Sequence, residues 1–270
     1  MKSEILCEKP HIEIILGDCL IEMQKIPDKS IDLVVTSPPY NMGGVSLGYQ
    51  PHSTVGQKFY GEYKDNLSSI EYQQFIFKVI DLCLQKSRYT FWNMQFVVST
   101  KETILTMMFE YKKFLKDIFI WHKQAVAQIC VQHSPILANG FEFIFMFGED
   151  NSKIFKYSNF PSNGYVPNIQ TWYKKNRESR DEHHATFPEA LPKYFIQYFT
   201  KESDTILDPF MGSGTTLVAA KELGRNAIGI EIELKYYEIT KRRILNTTTD
   251  MFIKDKLSER RLSNITPELF

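Results

Sequence analysis

Runs of consecutive apolar residues alternate along this chain with stretches whose apolar positions recur at helical spacing, a pattern that separates buried strands from surface helices. Apolar segments near Ile14, Leu33, Phe91, Ile118, Phe143, Ile206 and Ile228 read as strands, with Phe91 to Val98 as one fully buried run. Ile70 to Leu84 carries helical apolar spacing, as do Leu217-Val-Ala-Ala-Lys-Glu-Leu223 and Tyr194-Phe-Ile-Gln-Tyr-Phe199, whose aromatics read as core. In Phe141-Glu-Phe-Ile-Phe-Met-Phe147, four phenylalanines fall at period two with Ile144 and Met146 between them. That is the signature of a strand covered on both faces. Strands that alternate with helices predict a doubly wound, mainly parallel α/β sheet.

Two apolar strands end in sequences that carry chemistry. The run Ile31 to Val35 leads into Ser37-Pro38-Pro39-Tyr40. Proline has no N–H and fixes its own φ, so such a strand end presents rigid carbonyls that only accept hydrogen bonds. An exocyclic base amine offers two N–H donors. Ser37 Oγ and the Pro38 carbonyl can hold both, with Tyr40 stacked on the base. By itself the tetrapeptide also reads as a polyproline-type turn closing a strand.

The second strand end is Thr205-Ile-Leu-Asp-Pro-Phe-Met-Gly-Ser-Gly-Thr-Thr216, an apolar strand running into a glycine-rich turn and a helix. Gly212 and Gly214 allow close backbone approach to a nucleoside, and the next strand, Asn226 to Ile232, carries Glu231 to take ribose hydroxyls. Asp208 and Glu231 lie 23 residues apart. A dinucleotide fingerprint wants a third glycine where Leu217 stands, which weakens a nicotinamide reading. The alternative is a flexible strand-to-helix link.

With these segments in this order, the chain resembles the amino-group DNA methyltransferases, which methylate cytosine N4 or adenine N6 from S-adenosylmethionine. The tetrapeptide precedes the cofactor turn, the permuted order of the β class, and the resemblance extends from about Ile14 to Leu245. Three further stretches fit it. Ile14-Ile-Leu-Gly-Asp-Cys19 looks like the opening strand, whose Asp18 reaches the cofactor's adenine, although Gly17-Asp18 is also a common turn. His184-Ala-Thr-Phe-Pro-Glu-Ala-Leu-Pro192, with Phe187, looks like the segment over the methionine end, and Thr186-Phe-Pro-Glu189 reads at the same time as a capping box. Gly224-Arg-Asn-Ala-Ile-Gly-Ile-Glu231 looks like the ribose strand.

The resemblance implies a Rossmann-like sheet of seven strands, one antiparallel. It implies a cofactor site of Asp18, Phe187, Asp208, Pro209, Phe210, Gly212, Ser213, Gly214, Thr215 and Glu231, and a catalytic group of Ser37, Pro38, Pro39 and Tyr40. Residues 1–148 form the catalytic half, with the motif at 36–40 and a glycine- and tyrosine-rich loop at 41–67 expected to be mobile. A target-recognition insertion spans 149–183, the cofactor half 184–245 and a tail 246–270. In the insertion, Lys153, Lys156, Lys174, Lys175, Arg177 and Arg180 interleave with Tyr157, Tyr165, Trp172 and Tyr173. This reads as DNA contact, or as a solvated surface insertion. Lys241-Arg-Arg243 and the basic tail beyond read as a solvated face.

Composition adds exclusions. The net charge of 0 across 270 residues is low for a DNA-binding protein, so local basic clusters must supply phosphate contacts. An apolar share of 43% fills one core. No run approaches the roughly 20 apolar residues that span a bilayer, and the start lacks a signal-peptide core, so no membrane partner and a cytoplasmic location are expected. Cys7, Cys19, Cys83 and Cys130 are too scattered for a disulfide framework or paired zinc site, and none follows a proline as the nucleophile of carbon-5 methylation would. His183-His184 completes no ligand set, so no metal is expected.

In the family that the chain resembles, serine in the first motif position is commoner among cytosine-N4 enzymes, so the resemblance favours cytosine N4 over adenine N6, which remains the alternative. A non-catalytic S-adenosylmethionine-binding DNA-recognition protein is the alternative of another class, and RNA or protein glutamine are substrates that motif order and Ser37 disfavour. Double-stranded DNA is the expected partner, with a cognate restriction endonuclease and a homodimer as candidates.

Overall fold

The computed structural model describes residues 2–41, 66–123, 140–149, 167–172 and 187–248. In chain order its strands are β1 (Lys2–Glu8), β2 (His11–Leu16), β3 (Ile31–Thr36), β4 (Ser87–Met94), β5 (Leu115–His122), β6 (Phe141–Gly148), β7 (Ile169–Thr171), β8 (Thr205–Asp208) and β9 (Asn226–Glu231). The helices are α1 (Cys19–Glu22), α2 (Ser69–Lys86), α3 (Lys101–Glu110), α4 (Ala190–Phe199), α5 (Thr215–Glu222) and α6 (Leu234–Asn246). All strands join one sheet in the order β1-β2-β9-β8-β3-β4-β6-β5-β7.

All seven expected strands are present, and two edge strands extend the sheet to nine among the described residues. β1 pairs antiparallel with β2 at one edge, and the three-residue β7 pairs parallel with β5 at the other. β6 runs antiparallel to both β4 and β5. The expectation of seven strands with one antiparallel is therefore corrected to nine with two. Both additions are half-exposed edges, where no continuous apolar run is needed to form a strand.

Residues of one strand divide between two cores, as the alternation of strand side chains requires. Leu33 and Val35 of β3 join Phe91, Ile144 and Met146 under α4, α5 and α6. Val34 joins Trp92, Phe145 and Phe147 under α2 and α3, and Ile31, at the first position of the strand, packs there too despite its parity. Two covered faces explain why Leu33-Val-Val35 could be continuously apolar. On the first face the Phe91 and Phe195 rings stack with centroids 4.0 Å apart, so Phe195 and Phe199 of α4 are core as expected, while Tyr194 and Tyr198 are partly buried against it.

Two boundaries, one cap and one burial differ from the sequence reading. β4 ends at Met94 rather than Val98, because Thr100 Oγ1 donates to the Gln95 carbonyl and accepts from Val97 N–H, turning the chain into α3. Val98 is 77% exposed. α4 begins at Ala190, with Glu189 rather than Thr186 at its cap position and no side-chain cap there. Glu189 instead meets Arg243 and Lys193, and Thr186 lies outside the described residues. The capping box is found at Ser68 and Glu71, heading α2. Phe141, expected in the core, is 43% exposed because it opens β6 beside the interval 124–139.

Candidate active site at the ends of the central strands

β3 and β8 lie side by side and parallel, pairing Leu33 with Ile206 and Val34 with Leu207. The helices that follow them lie on opposite faces, α2 on one and α5 on the other. Their carboxyl ends flank the crevice where open α/β sheets bind ligands. A cavity of about 370 Å³ occupies it, lined by Ser37, Pro38, Tyr40, Asn93 and Glu142 on one side and by Asp18, Phe187, Gly212, Ser213 and Glu231 on the other.

The glycine side is built from backbone. Gly212 (φ 52°) and Gly214 (φ 80°) take left-handed conformations that side chains disfavour. Beyond that, a Cβ on Gly214 would sit 2.6 Å from Thr240 Cγ2, so this glycine also admits α6 against the turn. Thr240 Oγ1 donates to the Gly212 carbonyl at 2.8 Å. Arg243 donates to the Ser213 carbonyl at 2.6 Å and to Glu189 at 3.1 Å. The reading of Lys241 to Arg243 as a solvated face is thus corrected, since Lys241 also pairs with Glu4.

Glu231 Oε2 accepts from Gly212 N–H at 2.9 Å and Oε1 from Glu233 N–H at 2.9 Å. Burial outweighs these bonds and raises its pKa to about 7. Asp208 is 2% exposed, and its Oδ1 accepts from Thr36 Oγ1 at 2.7 Å and Phe210 N–H at 3.1 Å. Burial raises its pKa to about 6. Asp208 therefore ties the glycine turn to the strand that carries the tetrapeptide. Asp18 caps α1 through Leu20 N–H at 2.8 Å, as its turn reading expects, and also lines the cavity. Pro209, Phe210 and Thr215 line the cavity as well, with Phe210 packed on Trp92 at a centroid distance of 6.1 Å.

The tetrapeptide side is built from side chains. Tyr72 of α2 donates to the Pro39 carbonyl at 2.8 Å, and Ser99 Oγ donates to the Tyr40 carbonyl at 2.8 Å. Among the described residues the Pro38 carbonyl takes no such bond, which leaves it an acceptor beside Ser37. Tyr40 Oη lies 3.1 Å from Ser37 Oγ and donates to Glu142 Oε2 at 3.0 Å. Asn93 Nδ2 donates to the same carboxylate oxygen at 2.6 Å, and Lys123 Nζ sits 2.5 Å from the other. Asn41 closes the motif by bonding both the N–H and carbonyl of Leu67, each at 2.8 Å.

Asn93, Lys123 and Glu142 were not singled out from the sequence. A charged residue inside the phenylalanine-rich run of β6 was the available signal for Glu142. The basic and aromatic cluster, Lys153, Lys156, Lys174, Lys175, Arg177 and Arg180 with Tyr157, Tyr165 and Tyr173, lies outside the described residues, as do His183, His184, Cys130 and most of the 41–67 loop. Trp172 is described and is 8% exposed, its carbonyl accepting from Trp121 Nε1, so it is core rather than a base contact. Cys7, Cys19 and Cys83 are free thiols. No helix among the described residues is long and apolar enough to cross a membrane.

Fold and cleft together define an α/β class with a glycine turn at one central strand end and an acceptor-rich motif at the next, both facing one cavity. The profile of the N6/N4 DNA methylase family matches residues 31–242, and the chain belongs to that family. Among curated proteins it is 29% identical over 257 residues to the type II methyltransferase M.HinfI of Haemophilus influenzae, covering 86% of this chain and 67% of that one. It is 28% identical over 260 residues to M2.MboI of Moraxella bovis, covering 87% and 90%. Among solved structures, the cytosine-N4-specific PvuII DNA methyltransferase superposes with a TM-score of 0.65 at 21% identity, covering 93% of each chain. A DNA modification methylase of Thermus thermophilus, complexed with S-adenosyl-L-methionine, gives 0.54 at 20% identity over 87% and 95%.

Proposed function

We propose that this DNA methylase transfers a methyl group from S-adenosylmethionine to the exocyclic amine of a base flipped out of double-stranded DNA, with cytosine N4 as the favoured acceptor. The observation that carries the reading is the juxtaposition of Ser37 and the unengaged Pro38 carbonyl with the glycine turn around one cavity. The cradle suits the cofactor: two left-handed glycines, a turn pinned from behind by α6, and a carboxylate at the end of β9. Glu231 is placed for ribose hydroxyls, Asp18 for the adenine amine, and Phe187 for the methionine end. Bound there, S-adenosylmethionine supplies an activated methyl on a positively charged sulfur.

The protein's own part is positioning. A paired base keeps its amine within the stack, so it must leave the duplex to reach the floor of the cleft. Ser37 Oγ and the Pro38 carbonyl accept its two N–H groups and turn the nitrogen lone pair toward the methyl. The Tyr40 ring lines the same space and offers a stacking face. Burial holds the Tyr40 hydroxyl well above its ordinary pKa, so it stays a neutral donor. Holding two reactants in line accounts for much of the acceleration such a site can supply. Serine at position 37 supports cytosine. DNA contact is assigned to Lys153, Lys174, Lys175, Arg177 and Arg180, and as a modification enzyme the protein would share its target with a restriction endonuclease.

The test is to incubate the protein with S-adenosylmethionine and unmethylated DNA, digest to nucleosides and identify the product by mass spectrometry, with Ser37→Ala alongside. N4-methylcytosine, reduced by about 100-fold or more in the variant, is the expected result. N6-methyladenine would overturn the base assignment alone. Cofactor binding without any methylated base would favour a non-catalytic recognition protein.

A further inference from the structure

A hydroxyl can donate or accept, and its hydrogen turns to suit its partners. For a serine meant to hold an amine, that freedom is a liability, because an O–H pointed at an N–H repels it. Around Ser37 the partners remove the freedom. Glu142 is buried in β6, and as a carboxylate it only accepts. Its Oε1 is held by Lys123 Nζ at 2.5 Å, and its Oε2 receives Tyr40 O–H at 3.0 Å and Asn93 Nδ2 at 2.6 Å. With its single hydrogen committed to Glu142, Tyr40 Oη can only accept from its other neighbours. It takes Asn93 Nδ2 at 3.1 Å and, at 3.1 Å, the hydroxyl of Ser37. The Ser37 hydrogen is thereby drawn away from the base.

Asn93 reinforces the direction. Its Nδ2 also reaches Ser37 Oγ at 3.4 Å, and its Oδ1 is buried without a partner among the described residues. Turning the amide over would lose the donor at 2.6 Å from Glu142 and set an amide oxygen against the carboxylate. The buried, unpaired acceptor is thus the cost of facing a donor toward the carboxylate.

We propose that Glu142 is a positioning residue for methyl transfer: it sets the polarity of the chain Ser37 to Tyr40 to Glu142, so that Ser37 Oγ faces the cavity only as an acceptor. The inference rests on the methyl-transfer reading above and extends it to the ambivalent hydroxyl. It also explains why the tyrosine is engaged through its oxygen as well as its ring.

Reversal of that polarity is the test. In Glu142→Gln the carbonyl oxygen faces Lys123, so the amide N–H₂ faces Tyr40 and Asn93, whose own amide turns over to present its oxygen to the new donor. Tyr40 then accepts from Gln and donates to Ser37, whose own hydrogen turns into the cavity. Tyr40→Phe keeps the ring but cuts the chain, leaving Ser37 free to rotate. Single-turnover methyl transfer to DNA, S-adenosylmethionine affinity and thermal midpoint are measured for the wild type, both variants and the double variant. The expected result is a loss of about 100-fold in Glu142→Gln, about tenfold in Tyr40→Phe, and in the double variant no more than in Tyr40→Phe, with cofactor affinity unchanged within about twofold. A double variant slower than either single variant would overturn the proposal, as would an unaffected Glu142→Gln. If Glu142→Gln does not fold, Ser37→Ala with Tyr40→Phe decides: it must be as slow as Ser37→Ala alone, and a further multiplied loss overturns the chain. Absence of any methylated base from the wild type would instead overturn the functional reading beneath it.

Discussion

The two walls of the cleft are made differently. The glycine wall is a continuous turn of backbone from Asp208 to Thr215, shaped by φ angles and pinned by Thr240 and Arg243. The tetrapeptide wall holds one short motif, completed by Asn93 from β4, Lys123 beyond β5 and Glu142 from β6. A wall of backbone depends on residues that must be small or left-handed, and a substitution there disturbs shape and stability together. A wall of side chains can lose its chemistry while its shape survives.

That contrast is open to attack, most severely at Gly214. Gly214→Ala should lose about 2–4 kcal/mol of stability, because alanine at φ 80° is strained and its Cβ meets Thr240. Thermal unfolding and calorimetric titration with S-adenosylmethionine should show both a lowered midpoint and lost binding. A variant that unfolds normally yet fails to bind would break the distinction, since the glycine wall would then also separate chemistry from shape.

The next effect is on pH. Glu231, proposed above for the ribose hydroxyls, has a raised pKa of about 7, so at pH 6 it is mostly protonated and would accept hydroxyls poorly. S-adenosylmethionine affinity should therefore rise about tenfold from pH 6 to pH 8, with proton release, and Glu231→Gln should bind weakly with a flat profile. Stability runs the other way. Glu231 and Asp208 both titrate above their ordinary range in the folded chain, so their contribution is full below pH 4 and is lost as pH rises through about 6 and 7. The cofactor-free thermal midpoint should fall across that window. A steeply pH-dependent Glu231→Gln would assign the effect elsewhere.

The smallest effect is expected at Arg243. Arg243→Ala removes the bond to the Ser213 carbonyl and the pair with Glu189, and should cost about 1–2 kcal/mol with a several-fold loss of cofactor affinity. An unchanged rate of transfer at saturating cofactor would sharpen the comparison, because Arg243 supports only the glycine wall.

The same contrast explains what could be read from the chain. Asp208-Pro-Phe-Met-Gly-Ser-Gly-Thr215 was legible because a turn that needs particular φ angles writes them into adjacent residues. The seven inner strands were legible because both faces of the sheet are covered. Glu142 was hidden because the strand was read through its phenylalanines as covered on both faces, and the partners of one carboxylate among them appear only once β6 is seen to run antiparallel beside β4 and Asn93. Arg243 was hidden because a lysine and arginine cluster on a helix usually faces water, and only the packing of α6 on the turn reveals its reach. β1 and β7 are edge strands with little apolar pattern to announce them.

The hydrogen bond from Thr36 to Asp208 joins residues 172 positions apart. Closing so long a loop is entropically slow, and contacts of this range tend to form late. During synthesis the first wall emerges from the ribosome well before its counterpart exists, so β3 must wait with an unclaimed edge until β8 is made. The cleft comes into being only once Asp208 has been made, and a chain interrupted before it would be part of a sheet with a single wall.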